Sequence, residues 1–108
     1  MGKGQYPGEF ELVVLSAIAR LSDDAYGMRI RLEIEEATGR DVSIGAVYAT
    51  LNRLEDKGLV GSEQGEPSGE RGGRAKRYFS LEPAGIKALE RARRMFARLW
   101  TGLPESLG

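Results

Sequence analysis

From Glu9 to Leu21 the chain sets Phe10, Val13, Val14, Ala17, Ile18 and Leu21 on one stripe at helical spacing, and Leu12 and Leu15 widen it. A helix that is apolar on nearly all sides needs cover from two directions. It can be the central core helix of a single domain; the sharper reading, which we prefer, has a second subunit supply one of the covers. A second helix is expected from about Ala25 to Thr38, with Met28, Ile30, Leu32 and Ile34 apolar and Glu33, Glu35 and Glu36 as an acidic outer part. Ser22, Asp23 and Asp24 are its N-cap candidates, and capping explains the two adjacent aspartates better than acid–base catalysis does. Gly39 is its natural stop.

The third helix, about Ile44 to Lys57, carries Ile44, Val47, Tyr48, Leu51 and Leu54 at helical steps, with Ser43 as cap and Gly58 as stop. Residues 59–63, LVGSE, read as a short strand. Residues 65–74, GEPSGERGGR, read as a turn or mobile loop. The return strand is AKRYFSL, Ala75 to Leu81, with Arg77, Phe79 and Leu81 on one face and Lys76, Tyr78 and Ser80 on the other. Pro83 opens a last helix that runs to about Thr101, where GLP stops it, with Ile86, Leu89, Ala92, Met95 or Phe96, Leu99 and Leu103 recurring at steps of three and four. Residues 1–8, MGKGQYPG, read as a loose arm.

Composition narrows the chemistry. The 108 residues suit one domain with a modest core. Absence of cysteine and histidine removes disulfides, thiolate or imidazole metal sites and catalysis built on either residue, so no enzyme, no cofactor and no metal site are expected. The longest apolar run, Leu12 to Ala19, is too short for a bilayer and follows Glu9 and Glu11 rather than a basic segment, which predicts a cytoplasmic protein that does not engage a membrane. Lys+Arg and Asp+Glu are both 16, giving a net charge of +0. That neutral total conceals a basic hairpin, because Arg71, Arg74, Lys76 and Arg77 occur with no acid between residues 71 and 78.

Three helices followed by a two-stranded hairpin is the order of a winged helix-turn-helix, here an α+β, mostly helical fold with an appended C-terminal dimerisation helix. Its expected parts are an arm at 1–8, the DNA-binding domain at 9–82 and the dimerisation helix with its tail at 83–108. On the third helix, Gly45, Ala46 and Ala49 permit close approach to base edges and phosphates, while Thr50, Asn52 and Arg53 offer donors. Ser43 and the open first-turn N–H groups suit a phosphate. The four hairpin cations would release counterions on binding double-stranded DNA. Against this stands the plainer reading of a solvated helix and a charged loop, and an alternative function as a protein-interaction module of the same fold.

At this point the chain resembles the PadR family of bacterial transcriptional regulators, over about Glu9 to Leu89. The carriers are AYGMRI at 25–30, SIGAVYATLNRLEDKGLV at 43–60 and GGRAKRYFSLEPAGIKAL at 72–89. Ala49 stands where the family often has proline, and Glu82 where a threonine cap is common. The resemblance implies DNA contacts from Tyr26, Ser43, Tyr48 and the basic hairpin, with Tyr48 packing its ring in the apolar stripe and sending its hydroxyl to a phosphate.

A two-fold homodimer is expected, because the last helix has little partner surface within one small domain. Phe10, Val14, Ile86, Leu89, Phe96, Leu99 and Trp100 are its candidate interface. A repressor on a pseudo-palindromic operator follows as the expectation, since the short chain lacks an obvious surface for recruiting polymerase. Some relatives bind aromatic or drug-like compounds near the dimer centre, which by resemblance makes Phe96 and Trp100 candidates for an aromatic effector. The same residues at helical spacing also suit plain dimer core.

Overall fold

The computed structural model describes residues 6–65 and 75–107 and has the order α1 (Glu9–Leu21), a single 3-10 turn (Ser22–Asp24), α2 (Gly27–Thr38), α3 (Ile44–Asp56), β1 (Val60–Gln64), β2 (Arg77–Leu81) and α4 (Pro83–Thr101). The arm expected at 1–8 lies largely outside the described residues. The two strands pair antiparallel with Val60 opposite Leu81 and Gln64 opposite Arg77. Gly39 and Gly58 end α2 and the α3 segment at positive φ, 73° and 75°, which only glycine adopts without strain.

The core lies where α1, α2 and α3 meet β1 and β2. Val14, Leu15 and Ile18 of α1, Ile30 and Ile34 of α2, Val47, Leu51 and Leu54 of α3, Val60 and Phe79 are all buried. On α1 and α3 the apolar stripes read from helical spacing are therefore largely the packed faces, whereas Met28, expected among the apolar residues of α2, is exposed. Val14 is a correction: expected at a dimer interface, it is wholly covered within one protomer. Thr50 is another, since it is buried in the stripe beside Leu51 rather than facing outward, and its hydroxyl accepts a hydrogen bond from Arg53 Nη2 at 3.1 Å. Glu33 also departs from the expected acidic exterior. It is buried, and its carboxylate takes Arg20 Nε at 2.6 Å and Arg29 Nη2 at 3.7 Å.

The second helix starts later than expected, and neither aspartate caps it. The Ala25 carbonyl accepts the Phe79 N–H at 2.8 Å, and Tyr26 bridges Tyr78 in antiparallel fashion. Residues 25 and 26 thus act as a third, minimal strand on the free edge of β2, which holds them extended. Tyr26 becomes the N-cap with no side-chain cap bond, while Asp24 reaches Arg29 at 3.5 Å.

The last helix is set by a backbone contact. Gly85 is buried against Leu59, whose carbonyl oxygen would lie 2.1 Å from any Cβ at that position. Leu59 C=O also accepts the Glu82 N–H at 3.0 Å, and Glu82, as the departure from threonine suggests, gives α4 no side-chain cap. Beyond Leu89 the helix leaves the core. The Cα radius of gyration is 15.8 Å, against about 13 Å for a compact chain of this length.

Candidate nucleic-acid interface

The outward face of α3 is built from residues that leave room. At 100° per residue, Gly45, Ala46, Ala49, Asn52 and Arg53 share roughly a third of the helix circumference, and all five are exposed. The face has no large side chain at its centre. Ser43 caps the helix, its Oγ accepting the Ala46 N–H at 3.0 Å, while its carbonyl takes the Val47 N–H at 3.2 Å. The first-turn N–H groups have no carbonyl partner within the helix, so this end carries a partial positive charge toward solvent.

Beside it stands an aromatic cluster at the start of α2. A Cβ on Gly27 would sit 2.3 Å from the Cζ and hydroxyl of Tyr48, so glycine is what lets the tyrosine lie on the first turn of α2. Tyr48 keeps 39% of its surface open. Its place at the edge of the apolar stripe is thus physical, with the ring packed and an edge left exposed. The Tyr26 ring has Lys76 Nζ at 4.3 Å on its face and packs edge-on to Tyr78 at a centroid distance of 5.7 Å. Strand alternation brings Lys76 and Tyr78 to one side, as their spacing predicts. Tyr48 of α3, the first turn of α2, Tyr26 and Lys76 are thus linked by successive contacts.

The other two cations singled out on this side are already engaged. The Arg53 guanidinium bonds Thr50 and lies 3.8 Å from Glu11. Arg77 pairs with Glu55 and donates from Nε to Ser62 Oγ at 3.0 Å. Arg71 and Arg74 lie outside the described residues. The acids that hold these arginines were not singled out by spacing, because the pairs are remote in sequence.

Glu11 is the least expected member. Its buried carboxylate accepts the Gly8 N–H at 2.8 Å and both oxygens receive Lys57 Nζ, at 3.0 and 2.9 Å. Burial alone would raise its pKa. The Gly8 hydrogen bond, the Lys57 ammonium and the Arg53 charge outweigh that and hold it below the usual glutamate value. One carboxylate therefore ties the start of α1 to the last turn of α3.

A second open surface lies on α4. Leu12, Val13, Ala17, Ile34, Leu89 and Phe96 help line an apolar groove of about 1140 Å³ between α1, α2 and α4. Phe96 and Trp100 stack at 5.1 Å with Trp100 62% exposed, and Ile86, Met95, Leu99 and Leu103 are exposed as well. Phe10, by contrast, is partly buried with the Arg40 guanidinium 5.4 Å from its ring. No helix among the described residues is long and apolar enough to cross a membrane.

Helix, helix, open-faced third helix and two-stranded wing define a winged helix-turn-helix fold. The transcriptional regulator PadR-like family matches residues 14–91, and the chain belongs to that family. The family is one of transcriptional regulators. The chain is similar to the transcriptional regulator Rv3488 of Mycobacterium tuberculosis, 44% identical over 61 residues that cover 56% of this chain and 53% of that protein. It is also similar to an uncharacterized 37.1 kDa protein in transposon TN4556 of Streptomyces fradiae, 37% identical over 89 residues, 82% of this chain and 23% of that one. The chain thus spans about a quarter to a half of the length of these curated relatives. In fold it is similar to the crystal structure of a PadR family transcription regulator from Clostridium difficile R20291, with a TM-score of 0.74, 23% identity, and coverage of 87% of this chain and 93% of that one.

Proposed function

We propose that the protein is a cytoplasmic repressor that binds a pseudo-palindromic operator as a homodimer, with α3 in the major groove and the wing along the backbone. The observation that carries this reading is the pairing of two open surfaces of opposite character: the small, polar face of α3 and the apolar face of α4. The first accepts DNA through Gly45, Ala46, Ala49 and Asn52 at base edges and Tyr26, Ser43, Tyr48 and Lys76 at phosphates, helped by Arg71 and Arg74. The second accepts another copy, whose Ile86, Leu89, Phe96, Leu99 and Trp100 meet their own equivalents and the groove beside α1. Two-fold symmetry then presents two α3 helices about one or two DNA turns apart. Repression requires only occupancy of such a site, for which these two surfaces suffice. The domain division follows the same lines, with residues 9–82 contacting DNA and 83–108 joining protomers.

A second reading, that an aromatic effector binds at Phe96 and Trp100, is favoured by their stacked rings and the open face of Trp100. A flat apolar molecule could enter between the two tryptophans of a dimer. Saturable quenching of the single tryptophan together with release from DNA supports the effector; neither effect leaves plain dimer core.

The main test is electrophoretic mobility of duplex DNA at increasing salt. The triple substitution of Arg71, Arg74 and Lys76 by alanine weakens binding to all sequences and lowers the log–log salt slope by about 0.9 for each phosphate no longer neutralised. An unchanged affinity and slope contradicts the wing assignment and favours the protein-interaction alternative.

A further inference from the structure

Arg77 and Lys76 are neighbours at the base of the wing, yet they face different partners. The Lys76 ammonium lies on an aromatic ring and has no acid beside it among the described residues, so its charge remains available to a phosphate. The Arg77 guanidinium pairs with Glu55 of α3 through Nη2 and with Ser62 of β1 through Nε. Ser62 Oγ in turn donates to the second Glu55 oxygen at 2.7 Å, which closes a ring of three side chains. The arginine also lies 4.9 Å from the ring of Phe79, a buried core residue. Hydrogen bonds on one edge and an aromatic face beneath hold this exposed side chain against α3 and β1.

The position of the ring gives it a purpose. Glu55 occupies the last turn of α3, Ser62 the middle of β1, and Arg77 the first residue of β2 where the chain returns from the wing. We propose that Arg77 is a positioning residue: through Glu55 and Ser62 it sets the angle between the wing and the recognition helix, and it is not a phosphate ligand. This rests on α3 and the wing being the DNA-binding surface. Electrostatics agree, because the Arg77–Glu55 pair is neutral and releases no counterion on binding. Moving Arg77 to a phosphate would also leave the Glu55 carboxylate without its cation, held by the Ser62 hydroxyl alone, a cost that Lys76 does not incur.

The two roles predict opposite signs for one substitution. If Arg77 bound phosphate, Glu55→Ala would free it and remove an acid, so DNA affinity would rise. As a positioning pair, Glu55→Ala weakens binding about tenfold, as Arg77→Ala does, within the coupling usual for contacting charged residues. The exchanged pair Glu55→Arg with Arg77→Glu restores affinity to within about threefold of the parent and retains its salt slope. All four proteins are compared by fluorescence anisotropy on the same duplex, with circular dichroism melts confirming that each is folded. Tighter binding by Glu55→Ala, or an exchanged pair no better than either single variant, overturns the positioning role. Failure of the parent protein to bind any duplex overturns instead the DNA surface on which the proposal rests.

Discussion

The helices α3 and α4 both leave an outward face uncovered, and the two faces ask for opposite partners. On α3 Val47, Thr50, Leu51 and Leu54 are buried, and the face opposite them is formed by Gly45, Ala46, Ala49, Asn52 and Arg53. On α4 only Gly85 and Ala88 are buried, and what remains outside includes Met95, Leu99 and Trp100. Polarity of the leftover face is thus a better guide to function than total apolar content. A small polar face beside two helix N-termini suits a polyanion, whereas an exposed apolar stripe over much of a 19-residue helix suits a second protein surface. Both helices look amphipathic from spacing alone; the difference lies in which stripe the protomer itself covers.

The largest effect should come from the apolar side. Replacing Leu99 and Trp100 together by aspartate places two charges on the face proposed to meet a second copy. Light scattering should then report the monomer mass, and DNA affinity should fall about a hundredfold or more, since each half-site is held alone. A monomer mass for the unsubstituted protein at micromolar concentration would remove the distinction between the two faces. On the α3 side, Gly27→Ala sharpens the comparison. The added methyl displaces the Tyr48 side chain, which can swing outward, so the fold should survive with about a tenfold loss in DNA affinity, the worth of one or two phosphate-directed hydrogen bonds. Undiminished binding by a correctly folded variant would separate Tyr48 from the DNA surface.

The smallest effect concerns how the end of α3 is held. Glu11→Gln removes the carboxylate that receives Lys57, and because Lys57 and Arg53 retain access to water the loss should be about 1–2 kcal/mol. The pH dependence has a definite sign. Since the folded-state pKa of Glu11 is depressed, its stabilisation is present above the usual glutamate range and disappears as pH falls through the lower folded value. Melts at pH 7 and pH 3 should therefore show a wider gap between parent and variant at the higher pH than at the lower. Equal gaps at both would assign the loss to packing.

Much of this was legible in the residue pattern. The ranges of α1, α3 and α4 follow from apolar steps of three and four with Ser43, Gly58 and Pro83 as punctuation, and the wing from two alternating segments around a glycine-rich turn. The start of α2 was not, because a bond between Ala25 and Phe79 holds the preceding residues extended, and local spacing carries no trace of it. The engagement of Arg53 and Arg77 was hidden for a similar reason: Arg77 finds its acid 22 positions away on α3, and Arg53 faces Glu11 from the start of α1. Charge clustering identified the basic segment, yet could not tell a cation aimed at solvent from one bound to an acid. Val14 shows the converse limit, since a helix apolar all round does not reveal which neighbour covers which side.

The most direct test is selection of binding sites by the full chain from a random duplex DNA pool at moderate salt. Successive rounds should enrich an inverted repeat whose half-site centres lie about one or two helical turns apart, roughly 34 or 68 Å. A pool that remains random after selection, or enrichment of a single unrepeated site bound by one protomer, would contradict a dimer that presents two α3 helices to DNA.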